Sequence, residues 1–280
     1  MLEIFLHNSF LLINIAIHLN CKAMETDIFL LGGYDLEMET IAQLLYDYRK
    51  TYYDYQLLWN NAYLSSYNNI LGYYNNKNEF TIYGIELYED DKAIKGNNYI
   101  RIDHHNDYAG RNSSLQQVAD ILSHTLNRYE QLVSINDSFY ISGMKEYGAT
   151  DVEIETIRQK DRSAQGVTIE DELAAERAIR ENKTECKGIT IVKASSSHFS
   201  PICDRLYPYH KLIVYTDREV MYYGEGIASL KAIFSAEITK GTIFYGGGDC
   251  GYLGTKSDCY NEKELDYIKK QMINGSKRSL

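Results

Sequence analysis

The chain has 280 residues, 44% of them hydrophobic and 24% charged, which is length and apolar content enough for two domains with separate cores. Its formal net charge of −10 excludes a protein that grips long nucleic acid through a basic face, because such binding depends on neutralising many phosphates. A short phosphorylated substrate, held by a local basic pocket or by metal ions, stays compatible with that charge.

In chain order, the first 23 residues, "MLEIFLHNSFLLINIAIHLNCKA", are apolar enough to raise a signal peptide or a membrane anchor. Against that, Glu3 stands where such a segment carries Lys or Arg, and His7, Asn8, Asn14 and His18 interrupt the run. The expectation is a leader over residues 1–23 outside the fold, with Met24 beginning the folded protein and no membrane association; a cleaved or anchoring segment is the alternative. The five cysteines, at 21, 186, 203, 250 and 259, form no CxxC pair and leave an odd count, which points to free thiols in a reducing, cytoplasmic compartment.

From residue 26 the pattern runs "TDIFLL", "GGYDLE", "METIAQLLYDYRKTY": a strand, a glycine loop and a helix, the opening of a βαβ unit. Further apolar runs at "FTIYGIEL" (80–87) and "YIRIDHH" (99–105) predict two more strands, and helical periodicity covers 113–137 and 151–161. Strands alternating with helices imply a parallel sheet over 24–165, with its chemistry at the carboxyl ends of the strands. Residues 168–182, "TIEDELAAERAIREN", are charged with a thin apolar stripe of Ile169, Leu173 and Ile179, and read as an exposed helical linker (166–184). A second, smaller α/β domain with a mixed sheet is expected over 185–280, built from "CKGITIVKAS", "HKLIVYTD", "EVMYYGEGI", a short helix near 228–234, "GTIFYGGGDCGYLG" and a closing helix, "NEKELDYIKKQMI". The fold class is therefore α/β.

Acidic and histidine residues collect where separate strands end. Asp35 and Glu37 follow the first strand, Glu86 ends the second, Asp103, His104 and His105 end the third, and Asp137 closes a helix. Hard divalent ions want carboxylate oxygens, and Mn2+ also accepts imidazole. Each residue has a plainer reading. Asp35 and Glu37 suit a helix N-terminus, Asp137 a turn, Glu86 a surface position, and "DHHN" a polar loop. Arg111, Ser113 and Ser114 suit a phosphate at a helix start or a simple cap. Gly246, Gly247 and Gly248 let a backbone approach a ligand closely. His198, Cys203 and His210 lack zinc-ligand spacing, and no base motif adjoins Ser195, Ser196 and Ser197.

Read together, "IRIDHHND", "GRNSSLQQVADIL" and "INDSFYISGMKEYGATDVEIETIRQKDR" resemble the DHH phosphoesterases, named for an Asp-His-His motif, and "IFYGGGDCGYLG" is similar to the glycine-rich GGGH signature of their associated substrate-binding domain. The resemblance spans roughly residues 26–260 in two ordered groups. It implies a hydrolase with two Mn2+ (or Mg2+) ions, held by Asp35, Glu37, Glu86, His104 and Asp137. It implies His105 facing the substrate phosphate and Asp103 supporting the site, with Gly246, Gly247, Gly248 and Asp249 near the substrate; Arg111, Ser113 and Ser114 are substrate candidates from their place at a helix start alone. Asp90 and Asp91 compete with Glu86 for the second motif. The implied activity is hydrolysis of a small nucleotide or short oligonucleotide by metal-activated water at an interdomain cleft, in a chain that admits a homodimer. Two departures stand out: Leu31 occupies the place of a ligand histidine in the first motif, and Asp249 replaces the histidine of GGGH. They keep open a catalytically silent nucleotide- or phosphate-binding regulatory protein on the same fold; a pyrophosphatase or polyphosphatase is the other alternative.

Overall fold

The computed structural model describes residues 26–75 and 77–276, so the leader expected at residues 1–23 lies outside the described residues. Two compact units divide the chain: one comprises the residues through Tyr34, Thr40–Ile102 and Gln117–Thr125, the other Asp35–Glu39, Asp103–Gln116 and Leu126–Leu280. No helix among the described residues is long and apolar enough to cross a membrane.

The first unit holds four parallel strands, β1 (Asp27–Leu30), β2 (Thr51–Tyr53), β3 (Thr81–Ile85) and β4 (Tyr99–Ile102), in the order β2-β1-β3-β4. Their apolar residues pack inward: Ile28, Leu30 and Ile82 share a core with Leu64 and Tyr67 of a 3-10 turn and with Leu71 of α2 (Asn68–Tyr74). Between β1 and β2 runs α1 (Leu36–Asp47). Periodicity alone carries that helix on to Tyr52, but the chain leaves it at Asp47, turns through Arg49 at φ +54° and re-enters the sheet as β2. The β-branched and aromatic run Thr51, Tyr52, Tyr53 suits a pleated surface better than a helix, and Lys50 pins the turn by pairing with Asp27 at 2.9 Å.

The single helix expected over 113–137 is two, α3 (Ser114–Leu122) and α4 (Arg128–Glu146). Ser123 takes φ +54°, and Asn127 opens the second helix with a capping box closed by Glu130. Asp137 therefore lies inside a helix rather than at its close, three residues before a kink at Tyr140 (φ 56°, ψ −152°).

The second unit continues with α5 (Asp151–Ala164) and α6 (Ile169–Asn182). A six-stranded mixed sheet follows: β5 (Lys183–Cys186), β6 (Ile189–Lys193), β7 (Lys211–Tyr215), β8 (Val220–Gly224), β9 (Ile243–Gly246) and β10 (Tyr252–Thr255), in the order β5-β6-β7-β8-β10-β9. Only β6 and β7 run parallel. Between its strands come α7 (Ser200–Leu206), α8 (Ile227–Ile233) and α9 (Ser235–Thr239), and α10 (Glu262–Gly275) follows the last of them. One sheet face packs Ile213, Tyr222 and Leu253 against Leu230 and Ile268, while the other packs Val192, Val214 and Met221 against Ala175, Ala178 and Ile202. The apolar stripe read on α6 needs correction. Ile169 and Leu173 are exposed, and Ala174, Ala175 and Ala178 are the buried face, because small side chains let the helix lie close on β6 and α7.

Two solution properties follow. Cys203 is buried and its thiol is pushed up to about 12 by burial, whereas Cys186, Cys250 and Cys259 are exposed. Alkylation of the native protein at mildly alkaline pH should label those three and reach Cys203 only after unfolding, as peptide mapping would show. The Asp171 carboxyl is also shifted. Burial raises it, but hydrogen bonds from Ser196, Thr168 and His198 outweigh that and hold it well below the usual carboxylate range. A depressed folded pKa contributes stability that is present above the ordinary Asp value and lost as pH falls through the folded value. The melting temperature should therefore drop below about pH 4, and should drop less in Asp171→Asn.

Candidate metal centre

Parallel β3 and β4 end level, Ile85 opposite Ile102, and the Glu86 N–H donates to the Ile102 carbonyl at 2.8 Å. The chain thus leaves both strands at one sheet edge, with Glu86 next on one and Asp103 on the other. Glu86 is buried at φ +50°, uncommon for a residue with a side chain and a mark of local strain. Of its competitors, Asp90 accepts from the Ser65 N–H at 3.1 Å, a loop-fixing role, and Asp91 is exposed.

The second unit gathers the other acidic and histidine residues. Asp35 precedes α1 and caps it, its Oδ1 accepting from the Met38 N–H at 2.9 Å. Glu37, in the first turn of α1, is 2% exposed; its Oε1 accepts from the Leu115 N–H at 3.0 Å and its Oε2 lies 3.5 Å from His104 Nε2. Past β4, Asp103 Oδ1 accepts from the His105 N–H at 2.8 Å and lies 3.4 Å from His105 Nδ1, which fixes the tripeptide's backbone. His104 is buried, with Nε2 2.7 Å from Asp137 Oδ2, and its ring lies 4.2 Å from that of His105. The side chain of His105 is 42% exposed, and its Nε2 is 3.9 Å from the same Asp137 oxygen.

Ligand atoms of His104, His105 and Asp137 all fall within 4.8 Å of one another. At 2.7 Å, His104 Nε2 and Asp137 Oδ2 are not aligned as a hydrogen bond to each other. Atoms pointed at a common centre behave this way: neighbouring ligands of an octahedral ion bound at about 2.1 Å sit about 3 Å apart. Imidazole mixed with carboxylate suits Mn2+, and Mg2+ less closely. The donor set fits such an ion.

What holds Asp137 and Glu37 in place was not legible as a site. Arg158, buried in α5, donates to Asn136 Oδ1 at 3.0 Å, to Asp161 Oδ2 at 2.6 Å and to both oxygens of Asp204 at 3.1–3.2 Å. Asn136 adjoins Asp137, and Asp161 Oδ1 reaches the N–H of Leu36, next to Glu37, at 3.5 Å. Tyr140 also donates to Asp204, with Arg158 over its ring at 4.6 Å, which ties down the kink after Asp137. In sequence, "RQKDR" on a charged helix reads as a solvated face, since spacing gives no hint that Arg158, Asp161 and Arg162 are buried.

Leu31 is fully buried and its carbonyl accepts from the Tyr67 hydroxyl at 2.7 Å, so the first-motif position is core. Ser113 caps α3 through the Gln116 N–H at 3.2 Å and meets Ser134 Oγ at 2.7 Å; Ser114 is wholly buried, and the exposed Arg111 lies over the Tyr108 ring at 4.4 Å. Neither serine hydroxyl faces solvent. In the β9–β10 turn, Gly247 and Gly248 take φ of +73° and +70°, and a Cβ on Gly251 would stand 1.9 Å from the Gly246 carbonyl, so much of this glycine content is required by the turn itself. Tyr252, paired across the strands with Gly246, has its phenol raised by burial and then by the charge of Asp137, so this hairpin feels the acidic site. The side chain of Asp249 lies outside the described residues.

No protein-family model and no curated protein matches the chain. Among solved structures, the DHH domain of a member of the s1p family of ribosomal proteins superposes with a TM-score of 0.54 at 10% identity, over 90% of this chain and 88% of that one. A pGpG-specific phosphodiesterase, PggH from Vibrio cholerae, gives 0.47 at 10% identity over 90% and 98% of the two chains. RecJ from Thermus thermophilus in complex with Mn2+ gives 0.47 at 10% identity over 92% of this chain and 53% of that one. Identity this low speaks to architecture alone, and the architecture of this chain is the DHH fold.

Proposed function

We propose that this protein is a metal-dependent phosphoesterase that hydrolyses a small nucleotide or short oligonucleotide. The observation that carries the reading is the convergence of His104 Nε2, Glu37 Oε2 and Asp137 Oδ2 at 2.7–3.5 Å, beside the half-exposed His105. His104 and Asp137 would hold the ion, with Glu37 Oε2 turned toward the same His104 nitrogen and His105 Nε2 beside them. When bound, Mn2+ or Mg2+ supplies Lewis-acid polarisation of a phosphoryl oxygen and an acidified water. Asp103 fixes the His104–His105 backbone, and the exposed His105 ring donates to a phosphate oxygen. The resemblance implies two ions; a second would draw on Asp35 and Glu37, each of which already accepts from a backbone amide.

The test is turnover by the purified full chain with Mn2+ on bis-p-nitrophenyl phosphate, on dinucleotides and on pyrophosphate, with ion content by elemental analysis. Hydrolysis of the esters and not of pyrophosphate is expected. No turnover on any of them together with no bound metal would sink the reading. Leu31, buried where the family motif has a ligand, favours a second reading: an ion-containing nucleotide-binding protein without turnover. Bound metal with no hydrolysis would select it.

A further inference from the structure

The mixed sheet of the second unit has two edge strands, β5 and β9, and of these only β5 is exposed at every residue. Its sequence is Lys183, Thr184, Glu185, Cys186, with charges of opposite sign two residues apart. Thr184 donates to the Ile191 carbonyl at 3.4 Å; among the described residues the side chains of Lys183, Glu185 and Cys186 make no hydrogen bond or ion pair.

The turn that follows β5 decides which of its backbone groups face outward. Lys187 and Gly188 take φ of +52° and +75°, the positive pair of a two-residue type I′ hairpin turn, and Cys186 stands opposite Ile189. The pair flanking such a turn is hydrogen-bonded, and bonding alternates along an antiparallel ladder. Cys186 and Thr184 therefore direct their N–H and C=O groups to Ile189 and Ile191. Lys183 and Glu185, opposite Val192 and Thr190, turn theirs away from β6.

A second β5 arriving antiparallel has to set these outward residues against its own, which leaves three two-fold registers. Two of them put like charges directly opposite, Lys183 on the partner's Lys183 or Glu185 on the partner's Glu185, and that is destabilising. The third sets Lys183 against the partner's Glu185 and Glu185 against the partner's Lys183, with Thr184 on the two-fold axis. That register forms four backbone hydrogen bonds and two ion pairs together. Charge on an edge strand ordinarily keeps other strands away. Here its spacing rejects strands in general and accepts a copy of itself.

We propose that β5 is a homodimerisation edge, on which two copies of this chain pair antiparallel about Thr184 and join their mixed sheets into one. The contact is isologous, so it closes at two copies. Lying on the second unit's outer strand, it stands whether or not the protein turns over a phosphoester.

Sedimentation equilibrium of the full chain, from low-micromolar to near-millimolar concentration, should show a reversible monomer–dimer equilibrium. Lys183→Glu and Glu185→Lys each set like charges opposite one another and should weaken dimerisation by about ten- to a hundredfold. The double reversal, Lys183→Glu with Glu185→Lys, should restore it. Thr184 meets its own copy as a non-hydrogen-bonded pair, with Cα atoms about 4.5 Å apart, which is within disulfide reach. Thr184→Cys should therefore give a covalent dimer on mild oxidation, its linkage placed at position 184 by peptide mapping. Circular dichroism checks that every variant folds. A wild type monomeric throughout, a dimer that both single reversals leave unchanged, or a double reversal no tighter than the single ones would overturn the proposal, and so would the absence of any linkage through position 184.

Discussion

Replacing His104 by alanine is expected to lower the affinity for Mn2+, measured by calorimetry, by more than about a hundredfold, since removing residues that merely orient a ligand already costs roughly 10–100-fold. Turnover should fall with it. The reason is local geometry. His104 Nε2 is approached by two carboxylates together, Asp137 at 2.7 Å and Glu37 at 3.5 Å. Without the imidazole, the nitrogen on which both carboxylates converge is gone, and the ion loses that ligand. Asp137→Asn removes charge from the same point and should approach the alanine variant in effect. Glu37→Gln should cost less, because its Oε1 bond from the Leu115 amide survives. Wild-type Mn2+ affinity in His104→Ala would refute the assignment.

Arg158→Met is expected to cost about 3–5 kcal/mol in urea unfolding followed by circular dichroism, the usual penalty for leaving one side of a buried ion pair uncompensated. Arg158, Asp161 and Asp204 have side-chain exposures of 7%, 9% and 6%, so water cannot take over the lost bonds. Arg162 also pairs with Asp204, which leaves that acid partly compensated; Asp161 is the group that suffers most from the loss. Arg162→Gln is the informative comparison. It breaks bonds to Asp204 and Glu172 but touches neither Asn136 nor Asp161. Both variants should be destabilised, yet Mn2+ affinity should fall in Arg158→Met alone, since only Arg158 braces the residues beside Asp137 and Glu37. Equal Mn2+ affinity in the two would reduce the network to a stability device.

Much was legible in the sequence because it depends on local pattern. Apolar runs bounded by polar turns gave β1, β3 and β4, and an Asp-His-His run directly after an apolar stretch marked a strand end. Alternation of strands and helices, then a second α/β segment, gave a parallel sheet followed by a mixed one. Short-range signals were misread where two periodicities overlapped. Tyr52 fits a helix stripe and a strand alike, and helical periodicity runs unbroken over 113–137 across the capping box that opens a new helix at Asn127.

Everything that depends on groups distant in sequence had to come from the tertiary structure. Sequence placed Asp35, Glu37 and His104 after strand ends and Asp137 on a helix, but spacing cannot say that Asp35 spends its carboxylate capping α1 while Glu37 turns an oxygen toward His104. Burial decided the rest. Leu31 is core, not an empty ligand position, and Arg158 and Asp161, ordinary surface charges on a helical wheel, lie inside because Asp204, more than forty residues on, is folded onto them. Residue type and period fix which elements form, since those forces act within a few residues; the pairing of charges and rings is set by packing, which brings together what the chain keeps apart.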